Sequence, residues 1–256
     1  MTPFLAFHND AALRASVIEQ VRAHTEADEI IQGKYWENGK GCFIGCIAHS
    51  DKPERVLDLT GFPVMLTRIA ESIFERLSNA VAKGFPQQVI TAPRLGADLS
   101  PVAWLFLHET VERALSRSIV SEAARAACQP ALDVVARLAR GETVDFKAAR
   151  AAADAARAAA GAVRAAAYAA DAACAAAYAA DAACAAAYAA AYAADAAAYA
   201  AAYAAAYAAD AAAYAAYAAY AADAAYAAAY AAEMREQAAC LVRLLAAAPV
   251  PGEIKP

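Results

Sequence analysis

From Phe146 to Ala248 the chain contains no proline and one glycine, Gly161, and most of its residues are alanine. Alanine has the highest intrinsic helix propensity, because it gives up no side-chain entropy and competes with no backbone hydrogen bond. Nothing local instructs such a helix to stop. Unbroken from its cap at Asp145, it would extend about 150 Å at roughly 1.5 Å per residue. The alternative is a bundle of shorter helices packed through their alanines, since small side chains let helix axes approach closely.

The non-alanine positions of this segment are ordered. Tyr168, Asp171, Cys174, Tyr178, Asp181, Cys184, Tyr188, Tyr192, Asp195, Tyr199, Tyr203, Tyr207, Asp210, Tyr214, Tyr217, Tyr220, Asp223, Tyr226 and Tyr230 follow one another at intervals of three or four residues. On a helix they form a stripe of tyrosine and aspartate. Its mean spacing of about 3.5 residues favours left-handed supercoiling against a partner. Unpaired buried carboxylates are strongly disfavoured, so the aspartates argue for a wet stripe and a packed alanine surface. The stripe is the candidate binding or assembly surface, because phenol rings three and four residues apart can stack and present hydroxyls to a partner. The ten-residue unit Tyr168 to Ala177 is repeated as Tyr178 to Ala187, as in an expanded low-complexity tract. The composition resembles the alanine-rich antifreeze helices of fish, without their regularly spaced threonine.

The remainder has an ordinary globular mixture, which divides the chain into a mostly helical domain over 1–141, the alanine-rich module over 145–248 and a disordered tail over 249–256. The fold class is all-α. Asp10 predicts an N-cap for a helix continuing towards Ile31 and stopped by Gly33. Apolar spacing predicts a helix over 64–83, ended by Gly84 and Pro86. Ser100 followed by Pro101 predicts a cap and a helix to about Leu115. A segment over 119–140 is divided by Pro130 and closed by Gly141. Residues 33–63, rich in Gly, Asn, Ser, Asp and Pro, form an irregular excursion in which Phe43, Ile44 and Ile47 begin either a strand or a helix.

That excursion holds the candidate chemistry: Gly39-Lys40-Gly41-Cys42-Phe43-Ile44-Gly45-Cys46, then His49. A thiolate at a helix N-terminus beside a histidine would be a nucleophile. The loop resembles the glycine-rich loop before the catalytic cysteine of papain-like proteases, with the cysteine spacing one residue longer and Ile47 where an aromatic is expected. That resemblance implies a cysteine-dependent hydrolase using Cys42 or Cys46, with His8, His24, His49 or His108 as base. Cys42, Cys46 and His49 with one more histidine also present a donor set for zinc, although C-x3-C is less diagnostic than paired C-x2-C. The bland reading has the glycines making tight turns and the cysteines serving as small buried hydrophobes, and this reading assigns no catalytic residue, metal or cofactor. His24, Glu26, Asp28 and Glu29 read as a solvated helix end.

The net charge is −5, and residues 165–232 carry five aspartates without a lysine or arginine. Such a surface repels phosphates and argues against nucleic acid as a partner. The aspartates also interrupt every apolar run below the length of a membrane span. The first twenty residues lack a basic and then apolar leader pattern, which with six sparsely spaced cysteines predicts a cytoplasmic protein with free thiols.

Residues 130–170, with a helix ending in Arg140-Gly141-Glu142 before an alanine-rich run, resemble alanine-rich bacterial proteins named as immunity proteins. The globular half resembles uncharacterised bacterial and phage proteins. The first resemblance implies toxin or defence-factor binding. The composition points to a non-enzymatic interaction or scaffold protein that binds itself or another protein, with the hydrolase as the alternative.

Overall fold

The structure is a computed structural model that describes residues 3–116, 122–144 and 223–252. The described residues are mostly helical, with one short hairpin. They fall into two compact units, one comprising Met1–Val102 and Glu236–Pro256 and the other Ala103–Arg235. Among them no helix is long and apolar enough to cross a membrane.

The first unit begins with a turn, Ala6–Asn9, in which Phe7, His8 and Asn9 all take positive φ (53°, 52° and 60°). Left-handed backbone at consecutive non-glycine residues costs roughly 1–2 kcal/mol each, so it persists only where surroundings hold it. Phe7 is fully buried, and His8 Nε2 donates to the carbonyls of Leu57 and Asp58 at 3.0 and 3.1 Å. Ala6 N donates to Ala97 O (2.8 Å) and Gly96 N to Ala6 O (3.0 Å), which ties this turn to the loop around Gly96.

Asp10 caps α1 (Ala11–Glu26), its carboxylate accepting from the amides of Ala12 and Leu13 at 2.8 and 3.0 Å. The helix stops at Glu26 rather than near Ile31. Asp28 takes φ 56°, Glu29 N donates to His24 O at 3.0 Å and Asp28 N to Thr25 O at 3.3 Å, the paired closure of a Schellman motif with aspartate in the left-handed position usually held by glycine. The Phe43–Ile47 patch is helical, α2 (Phe43–Ala48), and its first five residues are all buried. Then come α3 (Pro53–Thr60) and α4 (Val64–Arg76). The helix expected over 64–83 is broken at Leu77 and Ser78, both extended, where Gln32 Nε2 donates to Phe74 O (2.6 Å) and Leu77 O (2.9 Å). A distant side chain thus satisfies carbonyls that would otherwise have continued the helix.

After the break, α5 (Asn79–Ala82) and α6 (Phe85–Thr91) follow, with Pro86 in the first turn of α6. Helix α1 packs on α2, α3 and α6, and α4 packs on α2, α3 and α6. The core between them includes Phe43, Phe74, Phe85, Ile44, Ile47, Ile69, Ile73 and Ile90. Ser100 does not use its hydroxyl as a helix cap, because Ser100 Oγ accepts from Phe4 N at 3.1 Å. Asp98 instead organises the turn, accepting from Ser100 N at 2.9 Å while its own amide donates to Pro249 O at 2.7 Å.

In the second unit, α7 (Val102–Leu115) buries Phe106, Leu107 and Val111. α8 (Glu122–Ala139) runs through Pro130 without a break, burying Cys128, Ala131, Leu132 and Val135. The apolar face on both sides of the proline outweighs the hydrogen bond it removes. Gly141, at φ 73°, closes α8 as expected.

α9 (Asp223–Ala247) is the described end of the alanine-rich segment. Its buried residues are Glu233, Met234, Gln237, Ala238, Cys240, Leu241, Leu244 and Leu245. At about 100° per residue, Tyr230 lies on that same face. Tyr230 is half-buried. The stripe from Tyr168 to Tyr220, including Asp171, Asp181, Asp195 and Asp210, lies outside the described residues, as do Cys174 and Cys184.

Candidate functional site

The excursion over 29–49 is organised by a hairpin. Strands β1 (Trp36–Glu37) and β2 (Lys40–Gly41) pair antiparallel across Asn38 and Gly39, which take φ 52° and 81°. Two positive φ values in a two-residue loop make the mirror-image turn that matches strand twist, and Asn-Gly is its preferred sequence.

The hairpin is pinned against α2 by contact that only glycine permits. A Cβ on Gly45 would lie 1.5 Å from Tyr35 O, and one on Gly41 2.2 Å from the same oxygen. Cys42 N donates to Lys34 O at 2.7 Å and Tyr35 O at 3.2 Å. At the other end of α2, Gln20 on α1 donates to the carbonyls of Cys46 and Ile47 at 2.7 and 2.9 Å. A six-residue helix is thereby held at both ends.

Its two ends carry two different clusters. At the C-terminal end His49 adopts left-handed backbone (φ 49°, ψ 40°), which turns its ring back over the hairpin. There it stacks on Trp36, with ring centroids 4.2 Å apart and planes 19° from parallel. His49 Nε2 lies 2.9 Å from His24 Nε2, and His24 Nδ1 lies 2.6 Å from Glu29 Oε2. The Schellman turn after α1 is what brings Glu29 back alongside His24. Partial burial and the neighbouring His24 lower the pKa of His49, and Glu29 opposes them.

At the N-terminal end Cys42 lies beside Glu71 and Glu75 of α4, a ligand atom of each falling within 4.8 Å of the others. Glu71 Oε2 accepts from Ile44 N at 3.1 Å, so a buried carboxyl caps α2 from another helix. Burial pushes Glu71 up to about 7. Glu75 Oε2 accepts from Gly33 N at 2.8 Å, and partial burial raises this carboxyl as well. The Cys42 thiol is raised far above its ordinary range by burial and by the neighbouring Glu71. Cys46 donates to Gly41 O at 3.1 Å and burial pushes its thiol up to about 12.

Comparison with protein-family models, curated proteins and solved structures finds no match for this chain.

The structure therefore separates residues that adjacency in sequence suggested belong together. Neither Cys42 nor Cys46 hydrogen bonds to a histidine among the described residues, and His49 pairs with His24 instead. His8 braces α3, and His108 lies 3.3 Å from Glu112 one turn away on α7. Of the helix-end residues read as solvated, His24 and Glu29 face each other in a part-buried contact, while Asp28 pairs with Lys83 and Glu26 with Arg22. The four described cysteines, Cys42, Cys46, Cys128 and Cys240, are free and buried. Trp36, Glu71 and Glu75 drew no attention in the sequence. Two signals pointed to them: the Asn38-Gly39 dipeptide for the hairpin, and a carboxylate at position 71 inside the apolar run of α4.

Chemically, the Cys42 end is suited to remaining neutral. A thiol needs stabilisation of its anion to act as a nucleophile, and burial beside a carboxyl does the reverse. At the other end His49 is exposed, and its imidazole meets that of His24 through the two Nε2 atoms.

Proposed function

We propose that this chain is a non-enzymatic interaction protein whose alanine, tyrosine and aspartate segment mediates self-association, attached to a small rigid helical unit. The observation that carries this reading is the register of α9. Tyr230, half-buried, lies one turn before Met234 on the face where Met234, Gln237, Leu241, Leu244 and Leu245 are buried. A stripe that leads directly into a packing face is placed for contact rather than for solvation. On this reading the segment is one very long helix, or a helical bundle, that presents the stripe from Tyr168 onward to a second copy of the chain.

The chemistry of the stripe favours a second copy as the occupant. Tyrosine hydroxyls donate and aspartate carboxylates accept, so two such stripes supply each other's partners without any cation. Stacked rings add apolar area. The buried, protonated state of Cys42 and Cys46 also supports the non-enzymatic reading over a cysteine hydrolase.

Light-scattering mass and small-angle scattering of the whole chain across a concentration series test the proposal. Mass should rise with concentration, and replacing Tyr199, Tyr203, Tyr207 and Tyr214 with alanine should abolish the rise while preserving helicity. A compact monomer at every concentration would refute self-association and turn attention to a different protein, such as a toxin or defence factor, as partner.

A further inference from the structure

We propose that His24 and His49 form a binding site for a late first-row divalent cation, with their two Nε2 atoms as its protein ligands. A carboxylate can only accept hydrogen bonds, so Glu29 Oε2 at 2.6 Å places the proton of neutral His24 on Nδ1. The Nε2 lone pair of His24 is then aimed at His49 Nε2, 2.9 Å away. Two imidazole nitrogens this close must share a proton or a metal ion.

Three features favour the metal ion. A carboxylate accepting from the far nitrogen of a ligating histidine is the usual outer-shell arrangement, fixing the tautomer and raising ligand basicity. His49 is held in left-handed backbone and stacked on Trp36 at 4.2 Å, so its ring is oriented before any cation arrives. Tetrahedral coordination with Zn–N bonds of about 2.0–2.1 Å needs nitrogens roughly 3.3 Å apart, an opening of a few tenths of an ångström from the present separation. His49 is an exposed residue at a helix end, which can make that adjustment and leaves the other coordination positions to water. Imidazole ligands suit zinc, nickel and copper rather than calcium or magnesium.

The Cys42, Glu71 and Glu75 group is a competing location, and it is the weaker one. Glu71 already accepts from Ile44 N and Glu75 from Gly33 N, in a buried setting.

The test is calorimetric titration of chelator-treated whole protein with Zn2+, together with quenching of Trp36 fluorescence by Cu2+ in a Trp104→Phe background. One Zn2+ should bind per chain. His49→Asn, which retains a residue tolerant of left-handed backbone, should weaken binding at least about tenfold, and Glu29→Gln by about 10–100-fold. Binding should also weaken as pH falls through the histidine range, because protons compete for the same nitrogens. Cys42→Ser should leave the affinity unchanged. Absence of Zn2+ binding, binding that survives in His49→Asn, or binding lost in Cys42→Ser would each overturn the proposal. The last of these would move the site to the other end of α2.

Discussion

Replacing Gly45 with alanine sets two physical effects of opposite sign against each other. Gly45 lies inside α2, where alanine is intrinsically favoured over glycine by about 1 kcal/mol. Its φ is not in the left-handed region, so conformation alone permits the change. The added Cβ, however, would lie 1.5 Å from Tyr35 O and 2.6 Å from Tyr35 C. Both are backbone atoms, and neither can swing aside. Relief requires α2 and the hairpin to separate by more than 1 Å, which loosens the bonds from Cys42 N to Lys34 O and Tyr35 O. Each such bond contributes about 1 kcal/mol, and overpacking strain adds about 1–3 kcal/mol. After subtraction of the propensity gain, Gly45→Ala should destabilise by about 2–4 kcal/mol, lowering Tm by roughly 10 °C. Urea and thermal unfolding of the whole chain, followed by tryptophan fluorescence and far-ultraviolet circular dichroism, measure this directly. Gly33→Ala is the control, because nothing lies within 4 Å of a Cβ there although φ is 83°; its penalty should be only about 1–2 kcal/mol of backbone strain. If Gly45→Ala were as stable as the parent or more so, the close approach of hairpin and α2 would be wrong, along with the His49 geometry that depends on it.

Glu71 has its folded pKa raised by burial from 4.5 to about 7, so the folded state holds a proton that the unfolded state releases across that window. Stability should therefore fall as pH rises from about 4.5 to 7, by up to about 3 kcal/mol. Urea midpoints at pH 5 and 7.5 should show that Glu71→Gln, which still accepts from Ile44 N, loses this decline. With its thiol at about 12, Cys46 should be alkylated at pH 8 about 10³-fold more slowly than a free cysteine, and mass-resolved labelling should show Cys46 and Cys42 becoming reactive together only on unfolding. Arg113 Nη2 pairs with the buried carboxylate of Glu233 at 2.9 Å. Arg113→Ala should destabilise by about 1–3 kcal/mol, and more than Arg113→Ala combined with Glu233→Gln, which a double-mutant cycle of urea unfolding measures.

Local signals in the chain were strongest where one residue decides one backbone feature. Asp10 as the cap of α1, Gly141 as the stop of α8 and the apolar repeat of α4 are such cases, because a cap or a buried face requires only neighbours within a turn or two. The early end of α1 and the break at Leu77 were illegible for the opposite reason. The first rests on an aspartate in a glycine-like conformation, and the second on Gln32, which reaches the end of α4 from more than forty residues away. The candidate site divides in the same manner. Cys42, Cys46 and His49 stood out by proximity in sequence, yet the Cys42 thiol faces Glu71 and Glu75 of α4 while His49 faces His24 of α1.

Composition and spacing alone mark the described residues as predominantly helical, since propensity and periodicity are local properties. Only the tertiary structure decided which face of α9 is buried, and that the two ends of a six-residue helix carry unrelated chemistry. Burial, pKa and hydrogen-bond partnership depend on which distant segments arrive at the same place, and no window of neighbouring residues contains that information.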